Sequence, residues 1–153
     1  MSLPRLVVFS LRWVTRHEPH VDRCASIWLI KTFIDKEAVF DFISRDSEIP
    51  PDAIAFTLPK AEIKPVEGVK TTFDVLVERY HIEDRIVLQI QKMLRDFEID
   101  AGEDVERLKL KETAGVCYIL RGLARTSRTD HEIASKALVV MDALYAELKA
   151  RGV

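Results

Sequence analysis

The first third of the chain alternates between two hydrophobic patterns, and this alternation limits the folds that are open to it. Residues 5–15 (RLVVFSLRWVT) are rich in β-branched and aromatic side chains, which is typical of a buried strand. Residues 21–34 carry apolar side chains at helical spacing, and residues 38–44 (AVFDFIS) alternate as a strand does. If the two strands pair in parallel, the helix between them is a right-handed crossover.

A proline-containing loop at residues 59–68 separates this part from a helical remainder. Residues 53–58 (AIAFTL), just before the loop, are predicted to form a third strand. Four helices follow: one behind Thr71, two over roughly 83–97 and 104–124, and one between Thr129 and Gly152. The sequence therefore predicts a single α+β domain over residues 1–153, with a small three-stranded sheet, a β-α-β start and a four-helix C-terminal half.

Composition excludes several classes of protein. The 153 residues are 48% hydrophobic and 31% charged, which suits one soluble domain with one core. The formal net charge of −2 supplies no basic field, so direct nucleic-acid binding is not expected. No apolar run approaches the ~20 residues that cross a bilayer, and no signal-peptide cleavage site follows the N-terminal apolar run. We therefore expect no membrane association and a cytoplasmic location, with reduced, buried thiols at Cys24 and Cys117.

The junction between the first strand and the first helix, TRHEPHVDRC, carries the densest cluster of reactive side chains. Arg16 ends the strand and Arg23 lies in the first helical turns, so both can face one point. A helix start favours an anion, and Arg supplies forked donors that suit a tetrahedral oxyanion. Asp22 and Ser26 are i,i+4 neighbours, and Asp22 could orient an arginine or bind a cation. The alternative is that the arginines form salt bridges with Glu18, Asp22 or the C-terminal half.

The same stretch raises the alternatives of a metal site and of a thiol nucleophile. His17 and His20 have the spacing of two ligands, but Pro19 between them disfavours a regular helix through both. Cys24 lies near a helix start, where a thiolate would be stabilised, yet it shares the apolar face with Trp28. A packed, inert thiol is therefore favoured. Trp28 either stacks on a ligand beside the cluster or belongs to the core.

The segments WVTR, VDR, WLI and FID of residues 13–35, in this order and spacing, resemble the C-terminal domain of the chromate-resistance protein ChrB family. The resemblance continues as TFDVLVERY, ETAG with LRGL, and DALYA, and so extends over nearly the whole chain. It implies a ligand-sensing or accessory domain of chromate resistance, a stress response, without the N-terminal DNA-binding module of longer members. Its partners would be a small oxyanion such as chromate and either a second copy of the chain or a separate DNA-binding subunit. The oxyanion would be held by Arg16, Asp22, Arg23, Ser26 and Trp28.

The chain departs from the family pattern at two positions. Val66 and Arg95 stand where relatives tend to carry His, which disfavours a His-based metal site or His-dependent catalysis here. Two alternatives to the oxyanion domain stay open. One is a metal-dependent enzyme that holds a divalent cofactor with Asp22, Asp96 and Glu98. The other is a non-catalytic scaffold or interaction protein that has lost the family site.

Overall fold

The computed structural model describes residues 12–153, so residues 5–11 of the predicted first strand lie outside the described part. Three strands form a parallel sheet in the order β2-β1-β3: β1 (Arg12–Arg16), β2 (Val39–Ile43) and β3 (Ala53–Ala55). The central strand is β1, and its three middle residues are buried as a doubly covered strand requires. The crossover between β1 and β2 is helix α1 (Val21–Leu29), which continues as a π-helical turn over Ile30–Ile34.

Four α-helices follow the sheet, which confirms the predicted α+β class and its helical C-terminal half. They are α2 (Thr72–Arg79), α3 (Arg85–Arg95), α4 (Lys111–Thr126) and α5 (Asp130–Ala150). A π-helical turn over Asp96–Asp100 extends α3, and Val105–Arg107 form one 3-10 turn. The helix expected from residue 104 therefore starts seven residues later, because Asp104 caps only this short turn.

The two predicted capping boxes differ in the structure. At α2 both bonds are present: the Thr71 hydroxyl accepts the Asp74 N–H, and the Asp74 carboxylate accepts the Thr71 N–H. At α5 the Thr129 hydroxyl accepts the Glu132 N–H, but the Glu132 carboxylate accepts the N–H of Arg128 instead. Both helices begin where the sequence predicts, since the N-cap bond is present in each.

Helix α1 occupies the centre of the domain and positions the site. It packs against α5, α2 and α4, and every one of its residues except Asp22 is buried. This burial explains the nearly continuous apolar run that follows the polar cluster. The two cysteines are free and buried, as predicted. None of the helices in residues 12–153 combines the length and the apolar character needed to cross a membrane.

Candidate functional site

The C-terminal end of β1 opens onto a cavity of about 380 Å³, here called the central cavity. Such ends are where ligands bind in open parallel sheets. Its cationic lining residues are Arg16, Arg23 and Lys70, its acidic ones are Asp22, Glu67, Glu98 and Glu103, and His20, Thr57 and Val66 also line it. An adjoining outer cavity of about 520 Å³ shares His20 and Glu103 with it. Segments far apart in the chain thus converge on one concave surface.

Arg23 is the most deeply buried charge of the central cavity, at 4% exposure. Its Nη1 donates to the carbonyl oxygen of Arg16, and its Nη2 donates to the carbonyl oxygen of Glu18 at 2.6 Å. Burial and the positive charge of Arg16 lower the pKa of Arg23 to about 10, so it stays charged at neutral pH. Arg23 therefore fixes the loop between β1 and α1. Its hydrogen-bond partners are neutral carbonyls, while the charges of Asp130 and Asp22 partly oppose the lowering of its pKa.

Arg16, in contrast to the buried Arg23, is exposed and has no side-chain partner in the described part of the chain. Its side chain is exposed at the rim of the central cavity and makes no hydrogen bond or ion pair within residues 12–153. Main-chain bonds hold its position, since β1 pairs with β2 up to Arg16 and the carbonyl of Arg16 accepts from Arg23. The structure thus brings the two arginines to one wall, with only Arg16 open to a ligand.

Asp22 also lines this cavity, but its carboxylate is occupied by main-chain donors. Its carboxylate accepts the N–H of Thr72 at 2.9 Å and the N–H of Phe73 at 3.2 Å. It therefore orients the start of α2, where the sequence led us to expect that it would orient an arginine. No residue of α2 itself could complete these two bonds, because the first N–H groups of a helix have no partner inside the helix.

Ser26 and Trp28 do not join the site. Both are fully buried in α1, and neither lines the central cavity. The Trp28 Nε1 donates to the Asp142 carboxylate at 2.8 Å, which fastens α1 to α5. The Ser26 hydroxyl is buried without a hydrogen-bond partner in the described part of the chain. Ser26 and its i,i+4 neighbour Asp22 therefore do not share the central cavity, because α1 is covered on nearly all sides.

The carboxylate set proposed for a divalent metal is not assembled. Asp96 accepts the N–H groups of Lys109 and Leu110 at 3.1 and 2.8 Å and so organises the approach to α4, away from the lining of the central cavity. Asp22 and Glu98 remain near each other. Across the ranges that the structure describes, no group of three or more His, Cys, Asp or Glu side chains is arranged to hold a metal ion.

The acidic wall of the central cavity perturbs Glu98 strongly. Burial, followed by the negative charges of Asp22 and Glu103, raises the pKa of Glu98 to about 8. Burial and the charges of Arg23, Arg121 and Arg16 lower the pKa of His20, while Glu18 opposes this change. Guanidinium charges thus dominate around His20 and carboxylate charges around Glu98, and Arg121 acts on both.

Backbone strain is concentrated around the two cavities. Four residues other than glycine have a positive φ in the described chain, and three of them line a cavity: Glu18 (52°), Thr57 (56°) and Glu103 (65°). This conformation is unfavourable for side-chain-bearing residues, most of all for a β-branched one such as Thr57, and costs about 1–3 kcal/mol at each position. Such strain gathers at functional sites, which supports the cavities as the functional region.

The thiol of Cys24 and the imidazole of His17, both in the opening cluster, have structural partners. Burial raises the pKa of Cys24 to about 12, and its Sγ donates to the carbonyl oxygen of Pro19 at 3.4 Å, as expected of an inert thiol. His17 Nδ1 lies 2.8 Å from the Asp130 carboxylate at the start of α5. His17 therefore joins the loop to α5 and is not the base of a cysteine nucleophile.

The two departures from the family pattern fall in different places. Val66 is half-exposed and lines the central cavity, so this departure lies at the candidate site itself. Arg95 donates to the buried carboxylate of Asp74 at 2.6 Å and thereby supports the start of α2. Lys70 and Thr57, which the sequence did not single out as ligand residues, also line the cavity, and so does Glu103. They share no motif, so only the tertiary fold brings them together.

Comparison with known proteins identifies relatives of the whole described domain. The family model described as "ChrB, C-terminal domain" matches residues 13–148. Protein ChrB of Cupriavidus metallidurans is 27% identical over 140 residues, which cover 91% of this chain and 41% of that protein. The chain thus spans about two fifths of the length of this curated relative. No solved structure matches the chain.

Proposed function

Because the chain belongs to the ChrB C-terminal domain family, we propose that it is a ligand-sensing or accessory domain of chromate resistance that binds a small oxyanion in the central cavity. The association with chromate resistance rests on family membership. The choice of an anion as the ligand rests on the cavity at the end of β1, where Arg16 and Arg23 lie. Arg16 would contact the anion, and Arg23 would act through its charge and through the loop that it holds.

One observation supports this proposal above the others: Arg16 and Arg23 lie together and have no carboxylate partner in the described chain. Neither guanidinium is hydrogen-bonded to a carboxylate, and that of Arg23 is buried, with the charges of Asp130 and Asp22 opposing its positive charge only in part. A buried charge without a directly bonded anionic partner is costly, so an anion placed beside the pair relieves this cost. The free fork of the Arg16 guanidinium suits two oxygen atoms of a tetrahedral oxyanion.

A thermal-unfolding titration tests this proposal. Sulfate, chromate or molybdate should raise the stability of the protein as RT ln(1 + [L]/Kd), which amounts to about 2.7 kcal/mol at a concentration of 100 Kd. Chloride at equal ionic strength controls for general salt effects. Arg16→Ala should abolish the shift, whereas Arg12→Ala, at the other end of β1, should retain it.

The absence of any oxyanion-specific shift at millimolar concentrations would contradict the proposal. It would favour the scaffold function instead, which also has a specific observation behind it. Asp22 and Arg23 both bond main-chain groups and thereby join β1, α1 and α2. A scaffold needs these two residues for stability alone, and Arg16→Ala would then leave every measured property of the protein unchanged.

A further inference from the structure

The loop that follows Arg16 contains a strained residue, Glu18, whose φ is 52°. This left-handed conformation is unfavourable for a residue that carries a side chain. Both main-chain polar groups of Glu18 are bonded to charged side chains of other elements. Arg23 of α1 donates its Nη2 to the carbonyl oxygen at 2.6 Å, and Asp130 of α5 accepts the N–H at 2.9 Å. These two bonds hold Glu18 in a conformation that the residue does not favour by itself.

Asp130 is placed to support this loop firmly. Its second carboxylate oxygen lies 2.8 Å from Nδ1 of His17, so one carboxylate holds two successive residues of the loop. The Asp130 side chain is only 18% exposed, so these contacts are largely shielded from water. Asp130 is also the first residue of α5, a helix of 21 residues whose start is capped by Thr129. The support therefore comes from a regular element, which suits the precise placement of a binding residue.

The position of Arg16 depends on the conformation of the same loop. Arg23 donates to the carbonyl oxygens of Arg16 and Glu18 together. A change of φ at Glu18 rotates the chain before it against the chain after it, so the two carbonyls would no longer face Arg23 together. The Arg16 side chain makes no bond of its own in residues 12–153, and only the main chain therefore determines where it starts.

We infer that Asp130 is a positioning residue of the central cavity, which holds Glu18 in its left-handed conformation and thereby keeps Arg16 at the rim where an oxyanion binds. This inference rests on the proposed function and adds to it a support from α5, a helix that contributes no lining residue to this cavity. Because coupling between two sites is reciprocal, a bound anion should in turn stabilise the contact between Glu18 and Asp130.

The charge of Asp130 and its support of the loop predict opposite effects on binding when the side chain is removed. Asp130 is an anion near a site for an anion, so the loss of its charge alone would strengthen anion binding. The loss of its hydrogen bonds would release the loop and weaken binding. The direction of the change in affinity therefore distinguishes a positioning residue from a nearby charge.

Calorimetric titration with sulfate at pH 7 tests this role. Asp130→Ala should weaken sulfate binding by about tenfold, because Glu18 loses the acceptor of its N–H. Asp130→Asn keeps an acceptor for Glu18 and a polar partner for the imidazole of His17, so its affinity should stay within about threefold of the wild type.

Asp142→Ala is the matched control. It removes the acceptor of the Trp28 indole N–H, a different bond between α1 and α5 that lies outside the loop. The variant should lose stability and keep its sulfate affinity within about twofold of the wild type.

Amide hydrogen exchange at Glu18, followed by NMR, supplies a second measurement. In the absence of anion, exchange of this N–H should be at least about tenfold faster in Asp130→Ala than in the wild type, and nearly unchanged in Asp142→Ala. Saturating sulfate should slow the exchange at Glu18 in the wild type, since a bound anion stabilises the loop. A residue that contributes only to overall stability would not produce this ligand effect at Glu18.

The possible results separate the role of Asp130 from the existence of the site. Sulfate affinity in Asp130→Ala equal to or above the wild-type value, or an equal loss in Asp142→Ala, would overturn the positioning role and leave the oxyanion site standing. If Asp130→Ala does not fold, the wild type decides, because exchange at Glu18 that sulfate does not slow would also overturn the role. If the wild type binds neither sulfate nor chromate, the proposed function fails and the role of Asp130 toward an anion fails with it. Exchange at Glu18 without anion then decides only whether Asp130 holds the loop.

Discussion

The carboxylate of Asp22 in α1 accepts the N–H groups of Thr72 and Phe73 at the start of α2, at 2.9 and 3.2 Å. Asp22 and Thr72 are 50 residues apart in the chain, so this contact is a helix cap supplied by another element. Burial raises the pKa of Asp22, and the two N–H groups oppose that rise. The residue that resembles a ligand in sequence therefore fixes the position of α2 beside the cavity.

Asp22→Ala should lower the free energy of unfolding by about 1–3 kcal/mol, because two N–H groups lose their acceptor. Asp22→Asn should cost less, since its amide oxygen still accepts one bond. Urea denaturation followed by circular dichroism at pH 7 measures both. Asp46→Ala, at an exposed position, is the control and should stay within about 0.5 kcal/mol of the wild type. Equal, small losses in all three variants would refute the capping role.

Arg23→Lys should lower the free energy of unfolding by about 2–3 kcal/mol. A lysine ammonium cannot reach the carbonyl oxygens of Arg16 and Glu18 with the geometry of a guanidinium fork, so one acceptor is left unpaired in a buried place. Arg16→Lys should change stability by no more than about 0.5 kcal/mol, because that side chain is exposed. Denaturation of the two variants in parallel makes the comparison. Equal losses would contradict the division of roles between the arginines.

The fold was largely predictable because its signals are local. The Thr71–Asp74 capping box marks the start of α2, and the change from alternating to helical spacing marks the end of the sheet. The site was predictable only in part. Arg16 and Arg23 flank the short loop between β1 and α1, so local geometry brings both to the lining of the central cavity. Lys70 and Glu103 reach the same cavity through tertiary packing, which no spacing in the sequence encodes.

Ser26 and Asp96 show why residue type alone misleads. The hydroxyl of Ser26 has the character of a ligand group, but α1 is enclosed by α2, α4 and α5, so the side chain never reaches the cavity. Asp96 has the character of a metal ligand, but its oxygens are taken by the N–H groups of Lys109 and Leu110. Main-chain groups at helix starts compete for the same carboxylates that a metal or an arginine would use.

Both thiols should resist alkylation in the folded protein. Burial raises the pKa of Cys24 and that of Cys117 to about 12, so at pH 8 each is a protonated thiol and not the reactive thiolate. Iodoacetamide at pH 8 should modify neither cysteine of the folded protein. In about 8 M urea, which unfolds the chain, it should modify both cysteines within the same time. Mass spectrometry of the intact protein counts the adducts. Rapid alkylation of Cys24 in the folded protein would contradict this prediction and would support a nucleophilic role for Cys24.

Glu98 should make the stability of the protein fall as the pH rises. The pKa of Glu98 is about 8 in the folded chain, above its ordinary value of 4.5, so the folded state binds the proton more tightly. The contribution is complete below the unfolded pKa of 4.5 and is lost progressively as the pH rises through the folded pKa of about 8. Over this window the free energy of unfolding declines by up to about 1.4 kcal/mol per pH unit from this group.

Glu98→Gln removes that dependence, because its amide does not titrate. The stability difference, variant minus wild type, should therefore be more positive at pH 8 than at pH 5 by at least about 1 kcal/mol. Urea denaturation at the two pH values measures it in the absence of any anion, so the result is independent of ligand binding. For Glu67→Gln the difference should be the same at both values, since that carboxylate is exposed. A pH-independent difference for Glu98→Gln would mean that Glu98 is ionised in the folded protein at neutral pH.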